Sequence, residues 1–272
     1  MSRLMAFLGD RGASIAYAVI GVFFTLVPEE IFRYGIVPCS WSDTACVIVN
    51  RLIVCGIIFS ITKCCYYCYL GNRNSVTISD RTFSIKIEYA DLLEIKGGLK
   101  VVSFDECFNT NVGERPEDVK PGSICGQYLT KYPIDDMQRL IKMAAINPSG
   151  KSLFNNLTSY DPGVIIQRGE FLLMSFAKLN DKGLGFFTYN EYLNCLNLMW
   201  KEIDCYHGTH DVYVPVLGSR IVRFDRELTQ QDLLDIMISS YRLSPYKLKY
   251  PNALHIVCRR REGFSLNDVF GV

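Results

Sequence analysis

The sequence predicts an α/β protein, a mixed sheet flanked by helices and preceded by an N-terminal two-helix transmembrane hairpin. Two observations predict it. Two long apolar runs lie within the first seventy or so residues, and beyond them strand-type and helix-type patterns alternate, with glycine-containing loops at strand ends.

The apolar runs come first. No residue between Arg11 and Pro28 is charged, and continuing toward Phe32 reaches the ~20 residues a bilayer span needs. The second run, Ala45 to Leu70, is interrupted only by Asn50, Arg51 and Lys63. The spans are therefore placed at about 12–32 and 45–69, within a hairpin of residues 1–75. Arg51 and Lys63 read as snorkelling toward opposite headgroup layers, with Tyr66, Tyr67 and Tyr69 as an interfacial aromatic cluster. A cleaved signal peptide would explain only the first run, and no small-residue cleavage site closes it before Pro28-Glu29-Glu30. Arg3 and Arg11 precede the first span and Lys63 and Arg73 end the second, whereas the connecting loop offsets Arg33 with Glu29, Glu30 and Asp43. The positive-inside rule then places both termini in the cytoplasm.

The remainder, 76–272, forms one cytoplasmic domain. Six of the 29 Lys and Arg and four of the 28 Asp and Glu fall in the hairpin, so this domain is nearly neutral and nucleic-acid binding is excluded as its business. The 11 cysteines are odd in number and irregularly spaced, which suits free thiols in a reducing compartment. Cys64, Cys65 and Cys68 lack a partner pair at metal-finger spacing and read as interfacial thiols. His207 and His210 have no acidic residue between them and read as a solvated loop; no metal site is expected.

Residues 72–80 are polar and read as a linker. Phe83–Tyr89 alternates as a half-buried strand, and Leu99–Phe104 is a second strand, after the Gly97-Gly98 turn. Ile134–Ile146 has helical spacing and stops before Pro148. Phe171–Ala177 is a continuous apolar run, the pattern of a strand buried on both faces. Thr188 and Glu191 form a capping box for a helix whose apolar face is Leu193, Leu196, Trp200 and Ile203. Asp211–Leu217 is a strand, a helix opens at Thr229 with Asp232 and runs to about Leu243, and Leu254–Cys258 is the last strand. Ligands of such sheets bind beyond the carboxyl ends of the strands.

Two strand-end loops have the chemistry for a diphosphate. Pro121–Gly126 precedes a helix, so its amides can face an anion with the helix dipole behind them. Gly218-Ser219-Arg220 leaves a strand, with Arg220 and Arg223 as charge partners.

This arrangement resembles a macro domain, the ADP-ribose-binding fold. Asp91-Leu92-Leu93 resembles the turn whose Asp receives the adenine amino group, and Val101–Thr110 the second strand with its asparagine loop, here Asn109. Gly122, Ser123, Ile124 and Gly126 resemble the first phosphate loop, and Asp161-Pro162-Gly163 a turn before the next strand. Pro215–Ser219 resembles the strand leading into the second phosphate loop, which continues through Gly218, Ser219, Arg220 and Ile221 toward Arg223 and the ligand-packing aromatic Phe224. The sequence departs from the pattern at Arg220, where a second glycine is usual, and at Cys125, where a bulkier or polar residue is.

With two spans in front, the chain resembles the membrane effectors of type II Thoeris antiphage defence, through Lys100–Phe108, Gly122–Gln127 and Tyr192–Asp204. That resemblance implies a non-enzymatic receptor in the bacterial inner membrane, without catalytic residues or cofactor. Its ligand would be an ADP-ribose derivative, histidine-ADP-ribose, made by a TIR-domain enzyme. Binding would drive homo-oligomerisation and disruption of the lipid bilayer, ending in abortive infection. The alternatives are a membrane-anchored macro-type ADP-ribosyl hydrolase, for which the Asn-rich catalytic loop is missing, and a ligand-free scaffold.

Overall fold

The computed structural model describes residues 11–33, 43–219 and 222–269. The chain divides into two compact units, Met1–Arg73 and Asn74–Val272.

In the first unit, α1 (Arg11–Leu26) is followed by a 3-10 turn (Glu29–Phe32) and by α2 (Asp43–Gly71). The first span was expected to run on to Phe32, but the helix stops at Leu26. Pro28 has no N–H to continue the ladder and disfavours helical geometry at Val27 before it. Its 16 described residues rise about 24 Å. Among the described residues, one helix is long and apolar enough to cross a membrane, Thr44–Gly71 within α2. Its outward side leaves Leu52, Ile57 and Ile61 exposed.

The polar residues of α2 have partners within this unit. Asn50 is buried and donates from Nδ2 to the Phe32 carbonyl at 3.0 Å. Arg51 Nη1 lies 3.4 Å from Glu29 Oε1, and its guanidinium stands 5.2 Å from the Phe24 ring and 5.5 Å from the Phe32 ring. Lys63 is buried, its Nζ 5.6 Å from the Phe59 ring and 5.5 Å from that of Tyr67. A long cationic stem among apolar side chains finds aromatic faces close at hand.

The second unit is built on a nine-stranded mixed sheet. Its strands include β1 (Ser75–Ser79), β2 (Ser84–Tyr89), β3 (Leu99–Asp105), β6 (Ile165–Arg168) and β7 (Phe171–Leu179). The rest are β8 (Gly185–Phe187), β9 (Val212–Pro215), β10 (Arg223–Phe224) and β11 (Leu254–Cys258). The order is β1-β2-β11-β9-β3-β7-β8-β10, with β6 also paired to β7; β4 (Gly150–Lys151) and β5 (Thr158–Ser159) form a separate hairpin ladder. From β2 through β7 the five central strands are parallel, so their carboxyl ends point the same way. β7 forks: Phe171–Met174 pair with β6, Lys178 and Leu179 with β8. A bulge between Phe104 and Asp105 shifts β3 against β7.

Residues 72–80 are not simply a linker. Val76 and Ile78 are buried on alternate positions of β1, which adds an antiparallel edge to β2.

Helices cover both faces. On one, α5 (Tyr189–Tyr206) and α6 (Gln230–Leu243) bury Leu196, Trp200, Leu234 and Met237 against Ile85, Val101 and Ile256. On the other, α3 (Ile124–Lys131) and α4 (Met137–Met143) bury Tyr128 and Ile141 against Val102, Phe104 and Leu173. Both capping boxes read from the sequence start their helices, Thr188–Glu191 for α5 and Thr229–Asp232 for α6. His207, expected in a solvated loop, is buried where it caps the end of α5, with Nε2 3.7 Å from Asp204 Oδ1.

Candidate functional site

The parallel strands end together at a cleft of about 240 Å³. Each contributes its terminus: Ala90 and Leu92 beyond β2, Val257 and Arg259 at β11, Pro215 through Ser219 at β9, Ser103–Asp105 at β3, and Phe176, Ala177 and Leu179 at β7. Two further segments close the sides, the strap Pro116–Lys120 and the turn Gly183–Gly185.

The first expected loop is a helix start. Ser123 is the N-cap of α3; its Oγ accepts the Gly126 N–H at 2.9 Å and donates to the Lys120 carbonyl at 2.7 Å. The Gly126 amide is therefore committed to the cap. The orphan donors of the first turn are the amides of Ile124 and Cys125, and both residues line the cleft with Ser123. Gly126 sits outside it for a packing reason: a Cβ there would lie 2.2 Å from the Lys120 carbonyl oxygen. Gly122 also lies outside the lining; its carbonyl accepts from Gln127 Nε2 at 3.2 Å.

In the second loop Gly218 and Ser219 line the cleft, with Gly218 at φ +80°. Arg220 and Ile221 fall outside the described residues. Arg223 does not face the cleft; it is exposed on the edge strand β10. Phe224, expected against the ligand, packs beneath the turn and meets Tyr192 edge-on at 5.3 Å.

Two other residues expected at the ligand, Asp91 and Asn109, lie outside the cleft lining and make local hydrogen bonds. Asp91 Oδ1 accepts the Leu93 N–H at 3.0 Å and Oδ2 lies 3.8 Å from Arg259 Nη2, while the next residue, Leu92, reaches the cleft. Asn109 lies off the lining, donating from Nδ2 to the Glu117 carbonyl at 2.9 Å and accepting the Asn111 N–H at 3.0 Å. It anchors the strap.

The sequence reading missed several lining residues. Asp105 accepts the N–H groups of Cys107 and Asn109 at 2.9 and 3.0 Å. Burial nevertheless pushes its carboxyl above the usual carboxylate range. Burial, with Asp105 adding to it, likewise raises the Cys125 thiol, which stays protonated and inert. Arg259 and Arg261 directly follow the last predicted strand, a position the carboxyl-end rule could have flagged. The strap carries no periodic signal and exists through tertiary contacts.

A second cavity, of about 490 Å³, lies behind the same strand ends, between Glu106, Tyr160, Lys178, Phe186 and Thr188. Leu179 borders both cavities. Glu106 Oε1 accepts the Leu179 N–H at 3.0 Å and the Ser152 hydroxyl at 2.5 Å.

A mixed sheet covered by helices on both faces, with its cleft over the parallel carboxyl ends and a helix N-terminus opening into it, defines a macro-domain-like protein. Residues 85–259 match the family described as Thoeris protein ThsA, Macro domain, and the chain belongs to that family. It is 25% identical over 236 residues to the Thoeris protein ThsA of Bacillus amyloliquefaciens (strain Y2), covering 83% of this chain and 78% of that protein. Among solved structures it is similar to an Oceanobacillus iheyensis macrodomain mutant at 8% identity and TM-score 0.45, over 70% of this chain and 91% of that one.

Proposed function

We propose that this protein is a Thoeris antiphage effector whose macro domain is a receptor for an ADP-ribose-derived signal. The observation that carries the reading is the cleft itself, where the start of α3 and the Gly218-Ser219 turn converge over the ends of the parallel strands. Backbone amides at a helix start suit a diphosphate, and the apolar lining of Leu92, Ile124, Phe176 and Val222 suits a base and sugar. The signal is histidine-ADP-ribose supplied by a TIR-domain enzyme. The role is binding rather than turnover: Asp105 accepts N–H groups of its own loop, and Asn109 holds the Glu117 carbonyl.

The output is at the membrane. The α2 segment spans the inner membrane, α1 accompanies it, and both termini face the cytoplasm. Ligand binding favours an oligomer in which the hairpins cluster and disrupt the bilayer, which requires that the ligand bind that assembly more tightly than the resting state. Abortive infection follows.

Calorimetry of the full-length protein in detergent, titrated with ADP-ribose and histidine-ADP-ribose, tests the receptor. Micromolar or tighter binding without loss of ligand supports it. No heat from either ligand at high micromolar concentration overturns it, and consumption of ligand during titration replaces it with an ADP-ribosyl hydrolase.

A further inference from the structure

Three arginines follow β11, which lies between β2 and β9 in the parallel array. Extended chain turns successive side chains to opposite sides, and here it separates them. Arg259 and Arg261 line the cleft. Arg260 points elsewhere: its guanidinium carbon is 4.4 Å from the Tyr89 ring centre and its Nη2 donates to Asn74 Oδ1 at 2.5 Å.

Both cleft arginines are held in place. Arg259 lies 3.8 Å from the Asp91 carboxylate, at the turn beyond β2, and its own carbonyl accepts from Gln230 Nε2 at 3.2 Å. Arg261 Nη1 donates to the Ser219 carbonyl at 2.8 Å, at the turn beyond β9. The third cation of the lining, Lys120, already donates to the carbonyls of Glu114 and Arg115.

We infer that this arginine pair is a further arm of the ligand site, with Arg259 the platform for a flat base and Arg261 the charge partner of a phosphate at the Gly218-Ser219 turn. The inference rests on the receptor reading above, and it assigns the chemical class of ligand by residues outside the two glycine-containing loops. A guanidinium is planar and weakly hydrated, so it stacks on an aromatic ring while an ion pair holds its edge. Asp91 supplies that edge contact and is a positioning residue. Ala90, Leu92 and Val257 give the apolar surroundings such a stack needs. Arg261 offers its charge where Arg223, on the edge strand, does not reach.

The test is calorimetry on the full-length protein in detergent with ADP-ribose, histidine-ADP-ribose and base-free ribose 5-phosphate. Arg259→Ala should weaken both nucleotide ligands about tenfold and leave ribose 5-phosphate unchanged. Arg259→Lys should fail to restore them, because lysine keeps the charge without the plane. Arg261→Ala should weaken all three ligands and flatten the salt dependence of binding. Arg260→Ala, of equal charge change, should alter none. Thermal unfolding reports that each variant is folded, and Arg259→Gln replaces the alanine variant if that one is not. Unchanged nucleotide affinity in folded Arg259→Ala, full rescue by lysine, or an Arg261→Ala variant that binds normally overturns the assignment. Wild-type protein that binds neither nucleotide overturns instead the receptor reading beneath it, and the arm with it.

Discussion

Gly218 and Phe224 occupy each other's space: a Cβ on Gly218 would stand 2.8 Å from Phe224 Cζ and 3.0 Å from Cε2. The aromatic ring is the underside of the turn that presents Ser219 to the cleft. Gly218→Ala must also adopt φ +80°, so it is expected to cost about 1–3 kcal/mol in urea unfolding. Ligand affinity should fall with it, as the turn lifts off its support. Gly126→Ala acts differently, by driving the start of α3 off the Lys120 carbonyl. An alanine at either position that leaves both stability and affinity untouched would contradict this account.

The half-buried carboxyl of Asp105 makes stability depend on pH. Its folded-state value is raised by burial, so the native state holds this proton more tightly than the unfolded chain does. Its contribution is therefore greatest below the ordinary aspartate range and is lost as pH rises through the raised value. Asp105→Asn keeps an acceptor for the two N–H bonds and removes the charge. The variant should match wild type in stability at low pH and exceed it by roughly 1 kcal/mol near pH 7. Denaturant midpoints across pH 3 to 8 check this, and a variant less stable than wild type at neutral pH refutes it.

Lys100 is 1% exposed in β3, with its Nζ 2.7 Å from Glu170 Oε2 and 5.5 Å from the Phe171 ring. Glu170 is about half exposed, which weakens the Coulombic part of the pair through solvent screening. Removing the carboxylate strands a buried ammonium, whereas removing the lysine strands nothing. Glu170→Ala should thus destabilise by about 1–2 kcal/mol and Lys100→Met by less than half of that. Urea unfolding of the two variants and their double mutant gives the order.

Full-length protein should stay in the pellet after alkaline carbonate extraction of membranes, because Thr44–Gly71 offers a span's length of apolar helix. Deleting residues 43–71 should release the chain to the supernatant. Release of the intact chain by carbonate would rule out a spanning α2.

Much of the sheet was legible because its strands carry their own signals. Leu254–Cys258 is apolar throughout, and Thr188 with Glu191 marks the first turn of α5 without reference to anything distant. β1 escaped because its two buried residues, Val76 and Ile78, sit among serines and a threonine that read as linker. β8 and β10, of three and two residues, are too short for a period and exist through pairing. The site followed the same division. Ser123, Ile124, Gly218 and Ser219, expected from turn and cap chemistry, line the cleft. Asp91, Asn109 and Phe224 lie off the cleft lining, because the direction of a side chain is decided by tertiary contacts that no local pattern carries. The same limit hid Lys63 and Arg51, whose aromatic partners come from spatial packing.

Strand alternation at the end of β3 divides two adjacent carboxylates between different tasks. Asp105 faces the cleft, while Glu106, one peptide further, turns to the other side and holds the Leu179 amide and the Ser152 hydroxyl. Neighbours in the chain will therefore have unlike mutational fates: exchanges at 105 reach the cleft wall, and exchanges at 106 reach only the scaffold behind it. A deletion at this point would trade their sides and put a structural brace where the ligand belongs. The alternation of side chains along the strand is what keeps the recognising surface and its scaffold from being the same set of atoms.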